Sequence, residues 1–171
     1  MSERRKITVL VVAFVALTAT LMQSGRQLMT TAAPLGIVSY QLAFSAEGAV
    51  AVLDSWDPPA RDAAAQNLLW DFPYLVVYTW ILSLLCRAAG ARSIPTISHT
   101  GSVVSRYVWF AAIFDTGENF ALLYQLSYGA SDAAALLAGS AASAKFGVIA
   151  IALTFLLVAG MTLWMGRRMD V

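Results

Sequence analysis

The stretch from Tyr107 to Tyr124 constrains this chain more than any other. It is apolar enough to lie in a bilayer, yet Asp115, Glu118 and Asn119 stand in its middle. On a helix each residue turns about 100°, so positions i, i+3 and i+4 share one face. A carboxylate at membrane depth costs about 2.5 kcal/mol or more even on the lenient insertion scale. Lipid is a poor neighbour for such groups, so other helices must face them. The stretch demands a helical bundle built around a polar seam.

Composition agrees with a membrane setting. Hydrophobic residues make up 59% and charged residues 12% of the 171 positions, against about 45–50% and about 25% in soluble domains. Mean hydropathy is +0.69. The length suits one domain, and the net charge of +1 leaves no basic footprint for nucleic acid. A single cysteine, Cys86, cannot form an internal disulfide or a redox pair. A single histidine, His99, argues against bis-histidine haem and His-rich zinc sites.

Four charge-poor segments predict four spans within one transmembrane domain, residues 1–171. The first runs from Ile7 to Gly25, close to the roughly 20 residues a span needs. Its rival is a cleaved signal peptide, with a basic start and small residues at Thr31-Ala32-Ala33, but the apolar run is long for that and Arg26 intervenes. Residues 26–65 are too mixed to span, and Pro34, Gly36 and Asp57-Pro58-Pro59 break the pattern. Within them Ser45 is the expected N-cap of an amphipathic helix over 46–56, with Glu47 in its first turn. Its apolar stripe is Ala46, Ala49, Val50, Leu53 and an interfacial Trp56, so it lies flat on the membrane or caps the bundle. The second span covers 66–86, with Pro73 either starting or kinking it. Residues 89–101 form a loop that holds an exposed His99. The third span covers 102–125, with Arg106 at its end. Residues 127–143 are Ala-rich, and Ser131-Asp132 suit the cap of a short helix. The fourth span covers 146–166, with Lys145 at its threshold. Trp56, Trp70, Trp109 and Trp164 near span ends fit interface anchors, and Gly147, Gly160 and Gly166 fit close-packing positions.

Arg4, Arg5, Lys6, Arg87, Arg92, Arg167 and Arg168, with Arg106 near them, mark one set of span ends; Arg26, Arg61 and Lys145 mark the other. That bias predicts both termini on the cytoplasmic side, and the excess of Arg over Lys with abundant Ala points to a bacterial inner membrane. The expected fold is thus all-α, an integral membrane four-helix bundle with a short amphipathic helix in the first outer loop.

In that topology all four spans bring a polar group to the outer half of the bilayer: Arg26, Asp71, the trio Asp115, Glu118 and Asn119, and Lys145. Asp71, Tyr74, Tyr78 and Leu82 form one partly polar stripe. Tyr40 and Gln41 either reach into this site or cap a turn. The cluster has three readings. It is a structural ion-pair network that fixes helix register. It is a set of hard oxygen ligands, Asp71, Asp115 and Glu118, suited to Ca²⁺ or Mg²⁺. Or its paired carboxylates share a proton and serve as carrier or general acid.

The segments Tyr40-Gln-Leu-Ala43, Leu69-Trp-Asp-Phe72 with Tyr78, and Asp115-Thr-Gly-Glu-Asn119-Phe-Ala-Leu-Leu123 resemble a group of bacterial four-span membrane proteins of unassigned function. The resemblance covers the chain from about residue 36 to the fourth span. The group carries an Asp-Phe motif in the second span and D-x-x-E-N in the third, with a Glu where Gln41 stands here. It implies the fold and the polar cluster and names no reaction. The expected function is a small membrane protein whose pocket takes a cation or lipid headgroup, or an accessory subunit. An enzyme acting on a lipid or isoprenoid and a proton- or ion-coupled transporter are the alternatives. The expected partners are the lipid bilayer and either a second copy or another membrane subunit.

Overall fold

A computed structural model describes residues 3–91, 93 and 95–169, with side chains for 5–91, 93 and 95–165. Arg92 and the side chains of Arg4, Arg167 and Arg168 lie outside the described residues, as does the packing at Gly166. In order come α1 (Glu3–Gly25), a 3₁₀ turn (Arg26–Leu28), α2 (Ile37–Gln41), α3 (Ala46–Asp54), α4 (Pro58–Ala91), α5 (Pro95–Tyr107), α6 (Trp109–Tyr128) and α7 (Asp132–Met169). The fold is an all-α bundle in which α1 packs on α4, α4 on α6, and α6 on α7.

Among the described residues three helices are long and apolar enough to cross a membrane: Arg5–Leu28, Pro58–Ala91 and Asp132–Met165. None of α1's apolar window is buried within the protein. A continuous apolar surface of that kind needs an apolar surrounding, and the chain is a helical membrane protein. α6 has 20 residues, and its polar trio sets it apart from those three.

Helix boundaries differ from the expectation in ways that move the site. Asp57-Pro58-Pro59 starts α4 instead of stopping a helix: Asp57 Oδ1 accepts from the Ala60 amide at 2.9 Å, and prolines are tolerated where no intrahelical N–H is required. The helix then runs on through Pro73, which leaves the Leu69 carbonyl without its usual partner. Ser131 does cap a helix, with its Oγ accepting from the Ala134 amide at 3.3 Å. That helix is α7 itself, so the Ala-rich segment and the fourth span are one continuous element. At about 1.5 Å per residue, the 34 residues of α4 and the 38 of α7 exceed a hydrocarbon core about 30 Å thick. The third span is split at Val108 into α5 and α6. The expected loop over 89–101 is mostly helical, and His99 is exposed on α5 rather than in a loop.

The segment between α1 and α4 folds over one end of the bundle. Ser45 caps α3 as expected, accepting from the Gly48 amide at 3.1 Å. Ala49, Val52, Leu53 and Trp56 are buried with Leu28, Tyr40, Leu68, Leu122 and Ala135 in one core cluster. Val50 is exposed and Val52 takes its place, which rotates the apolar stripe slightly. Trp56 is no interface anchor: it is 2% exposed and donates from Nε1 to the Leu28 carbonyl at 2.9 Å. Trp70, Trp109 and Trp164 remain exposed, as anchors would be. Asp132 Oδ1 accepts from the Ala46 amide at 2.7 Å and ties α3 to the start of α7.

The tight glycines are not those expected. Gly147 and Gly160 have open space where a Cβ would stand. A Cβ on Gly101 would lie 2.8 Å from the Cys86 carbonyl oxygen and 2.9 Å from the Gly90 Cα, so α4 and α5 touch backbone to backbone. Gly139 of α7 accommodates the Phe44 ring, 2.6 Å from a virtual Cβ.

Candidate functional site

Three bundle helices bring their charges to one level. Asp71 stands thirteen residues after Pro58 on α4, and Lys145 thirteen after Asp132 on α7. Asp115 stands thirteen before Tyr128 on α6, which runs the opposite way. Each is about 20 Å from the capped end. Lys145 is therefore not at a helix threshold. It lies inside the bundle, only 5% exposed.

Lys145 Nζ lies 2.8 Å from Asp115 Oδ1 and 2.7 Å from Glu118 Oε2. Asp115 accepts a second bond, at Oδ2 from the Tyr78 hydroxyl, at 2.9 Å. Asn119 donates from Nδ2 to Asp71 Oδ2 at 2.8 Å, and the Asp71 carboxyl neighbours that of Asp115. Asp115, Glu118 and Asn119 are all at most 2% exposed. The i, i+3, i+4 spacing on α6 points all three inward, as the cost of a lipid-facing acid requires.

Asp71, Asp115 and Glu118, the candidate divalent-cation ligands, lie around the Lys145 ammonium. Among the described residues no three acidic, His or Cys side chains are grouped as a metal would need. The position between Asp115 and Glu118 is taken by the Lys145 ammonium. Three carboxyl groups still face one ammonium, so the seam has a formal surplus of negative charge. It also has a surplus of acceptors. Glu118 Oε1, Asn119 Oδ1 and Gln41 Oε1 are buried without a hydrogen-bond partner, and the Glu118 Oε2 contact with Lys145 is a close ion pair lacking hydrogen-bond angles.

A cavity of about 660 Å³ opens beside the seam. Its polar wall holds Asp71, Asp115, Lys145, Tyr78, Gln41 and Asn67, and its remaining walls are largely apolar side chains of α1, α4 and α7. α1 packs on α4 but not extensively on α7, and side chains of both α1 and α7 line the cavity. Phe14 of α1 stacks on Tyr74 with ring centres 5.5 Å apart, and Tyr74 meets Tyr78 at 5.5 Å. These rings line the approach to the acids.

Of the expected site residues, Asp71, Tyr74, Tyr78, Asp115, Lys145 and Gln41 line the cavity. Glu118 and Asn119 stand behind its polar wall, holding Lys145 and Asp71. Arg26 does not join them; it is exposed in the 3₁₀ turn. Tyr40 does not enter the cavity either. Its hydroxyl donates to the Leu122 carbonyl at 3.2 Å, its ring meets Trp56 edge-on at 5.4 Å, and burial pushes its phenol above the ordinary value.

Two polar residues escaped the sequence reading. Asn67 donates from Nδ2 to the Leu21 carbonyl at 2.9 Å and to Ser24 Oγ at 2.7 Å, pinning α1 to α4. It lies four residues before Asp71, so extending the polar stripe by one turn finds it. Gln125, seven residues after Glu118, is 1% exposed with neither side-chain polar atom paired. The same periodicity marks it.

No protein-family model, curated protein or solved structure matches this chain.

Proposed function

We propose that this protein binds an amphiphile that enters sideways from the membrane, with its apolar body in the groove between α1 and α7 and its head against Asp71, Asp115 and Gln41. The observation that carries the reading is the cavity of about 660 Å³ with one polar wall and otherwise largely apolar walls. That size falls in the usual range of about 300–1,000 Å³ for small-molecule sites. The chemistry of the polar wall selects the head. Lys145 is already engaged by two carboxylates, while Gln41 Oε1 has no donor. The site therefore accepts hydrogen bonds and carries surplus negative charge. It suits an amine or hydroxyl head and opposes an anionic one.

The setting in this reading is a bacterial plasma membrane, with four spans formed by α1, α4, α6 with α5, and α7. Both termini are cytoplasmic, and the capped end faces outward. It follows from the lysine and arginine bias and from the resemblance to bacterial four-span proteins.

The test uses spin-labelled long-chain amine, alcohol and carboxylate probes of equal chain length on protein reconstituted in lipid. The amine and alcohol are expected to be immobilised and the carboxylate excluded. Thr18→Trp and Ile149→Trp, which fill the groove without removing a charged or hydrogen-bonding group of its polar wall, are expected to abolish immobilisation. Equal binding of all three probes, or binding that survives both tryptophans, overturns the proposal.

A further inference from the structure

We infer a second, separate site at the other end of the bundle: a groove that takes the phosphate of an anionic phospholipid headgroup. It has a volume of about 320 Å³ and is lined by Ser83 and Arg87 of α4, Ser102, Ser105 and Arg106 of α5, and Trp109 of α6. Arg87 stands sixteen residues beyond Asp71 on α4, about 24 Å along the axis. The groove shares no lining residue with the amphiphile cavity.

Its construction follows from the glycine contact. Gly90 and Gly101 let α4 and α5 meet backbone to backbone, which draws Arg87 and Arg106 toward one opening from two different helices. Ser83 Oγ donates to the Ser105 carbonyl at 2.7 Å and closes the floor. Ser105 Oγ donates to the Ser102 carbonyl at 2.9 Å. The two guanidiniums are exposed, and no ion pair to either is formed among the described residues. Among the described residues no acid lines the groove. After Asp71, α4 has no Asp or Glu, α5 has none, and α7 has none after Asp132. The groove thus presents two guanidiniums with no carboxylate beside them among the described residues.

The occupant follows from chemistry and position. Guanidinium is the side chain best matched to phosphate, with several fixed donors. Basic pockets between helices at a membrane face bind anionic headgroups. Exposed Trp109 lines the groove, as a side chain at headgroup level does. A phosphate on a lipid satisfies both features, because its acyl chains continue along the apolar surface beside Phe110 and Val103. Free phosphate satisfies only the charge.

The experiment counts retained lipid by native mass spectrometry and follows the thermal midpoint of detergent-solubilised protein as phosphatidylglycerol, phosphatidylcholine or inorganic phosphate is added. Phosphatidylglycerol is expected to raise the midpoint and remain bound, and phosphatidylcholine and millimolar phosphate are not. Arg87→Gln with Arg106→Gln is expected to weaken phosphatidylglycerol binding about 30-fold, the equivalent of roughly 1 kcal/mol for each basic residue. Arg5→Gln with Lys6→Gln, which removes the same charge from the same end, is expected to change it little. Arg87→Lys alone should retain most of the binding. Equal loss in both double variants would make the effect one of general surface charge and overturn the inference. So would unchanged binding after both arginines are removed, or full reproduction of the shift by inorganic phosphate.

Discussion

Replacing Lys145 with methionine tests the seam most directly. Methionine keeps the length and packing of the side chain but removes the ammonium. It leaves Asp115 and Glu118, 2% and 0% exposed, without the cation that now stands 2.8 and 2.7 Å away. Breaking one partner out of a buried ion pair costs about 3–5 kcal/mol, because the remaining charge is stranded in a low dielectric. Replacing the whole set by apolar or neutral groups of similar shape is close to neutral. Lys145→Met should therefore lower unfolding stability in lipid bicelles by about 3–5 kcal/mol. The triple variant Lys145→Met, Asp115→Asn, Glu118→Gln should recover most of that loss. The assay is reversible denaturant unfolding, followed by the change in tryptophan emission, with all combinations measured so that the coupling between sites is explicit. If Lys145→Met unfolds like the native protein, or if the triple variant is no better than the single one, the ammonium is not neutralising these carboxylates and the account of the seam fails.

Two further expectations concern packing and pH. Gly101→Ala should destabilise the bundle by about 1–3 kcal/mol, since its Cβ would lie 2.8 Å from a backbone oxygen, whereas Gly147→Ala and Gly160→Ala should leave the thermal midpoint within error or raise it slightly. Burial raises the Tyr40 phenol, so its stabilising contribution is complete below an ordinary phenol value near 10 and is lost as pH rises above it; Tyr40→Phe should shallow the alkaline fall of the thermal midpoint between about pH 10 and 12, and an unchanged slope would count against the buried placement of Tyr40.

The bundle was legible because hydrophobicity is a cumulative signal. Runs such as Phe146–Met165 have few alternatives to a long apolar helix. The inward turn of Asp115, Glu118 and Asn119 was legible too, since the energetic cost of facing lipid leaves one choice of face. Helix starts were less so. Asp57-Pro58-Pro59 can end one element or begin another, and Ser131-Asp132 marks a helix start without saying how far the helix runs; only the tertiary fold decides. That ambiguity hid the upstream extension of α4 and α7 and put Lys145 at a span threshold instead of within the bundle. The cavity itself was not legible. It depends on α1 leaning on α4 and standing off α7, a relation no local pattern encodes. Close packing at Gly90 and Gly101 was missed for the same reason: a glycine's importance depends on what approaches it, and Gly147 and Gly160 look alike in sequence.

The shared count of thirteen residues works as a ruler. Asp71, Asp115 and Lys145 are level only because three helices measure the same distance from the capped end. A single-residue deletion in the alanine segment between Asp132 and Lys145 would swing the ammonium about 100° around its axis and send it toward lipid. Removing seven residues would restore its bearing but leave it about 10 Å too shallow. The lead-in segments of α4 and α7 and the run-out of α6 are locked to one another by the charges they must align.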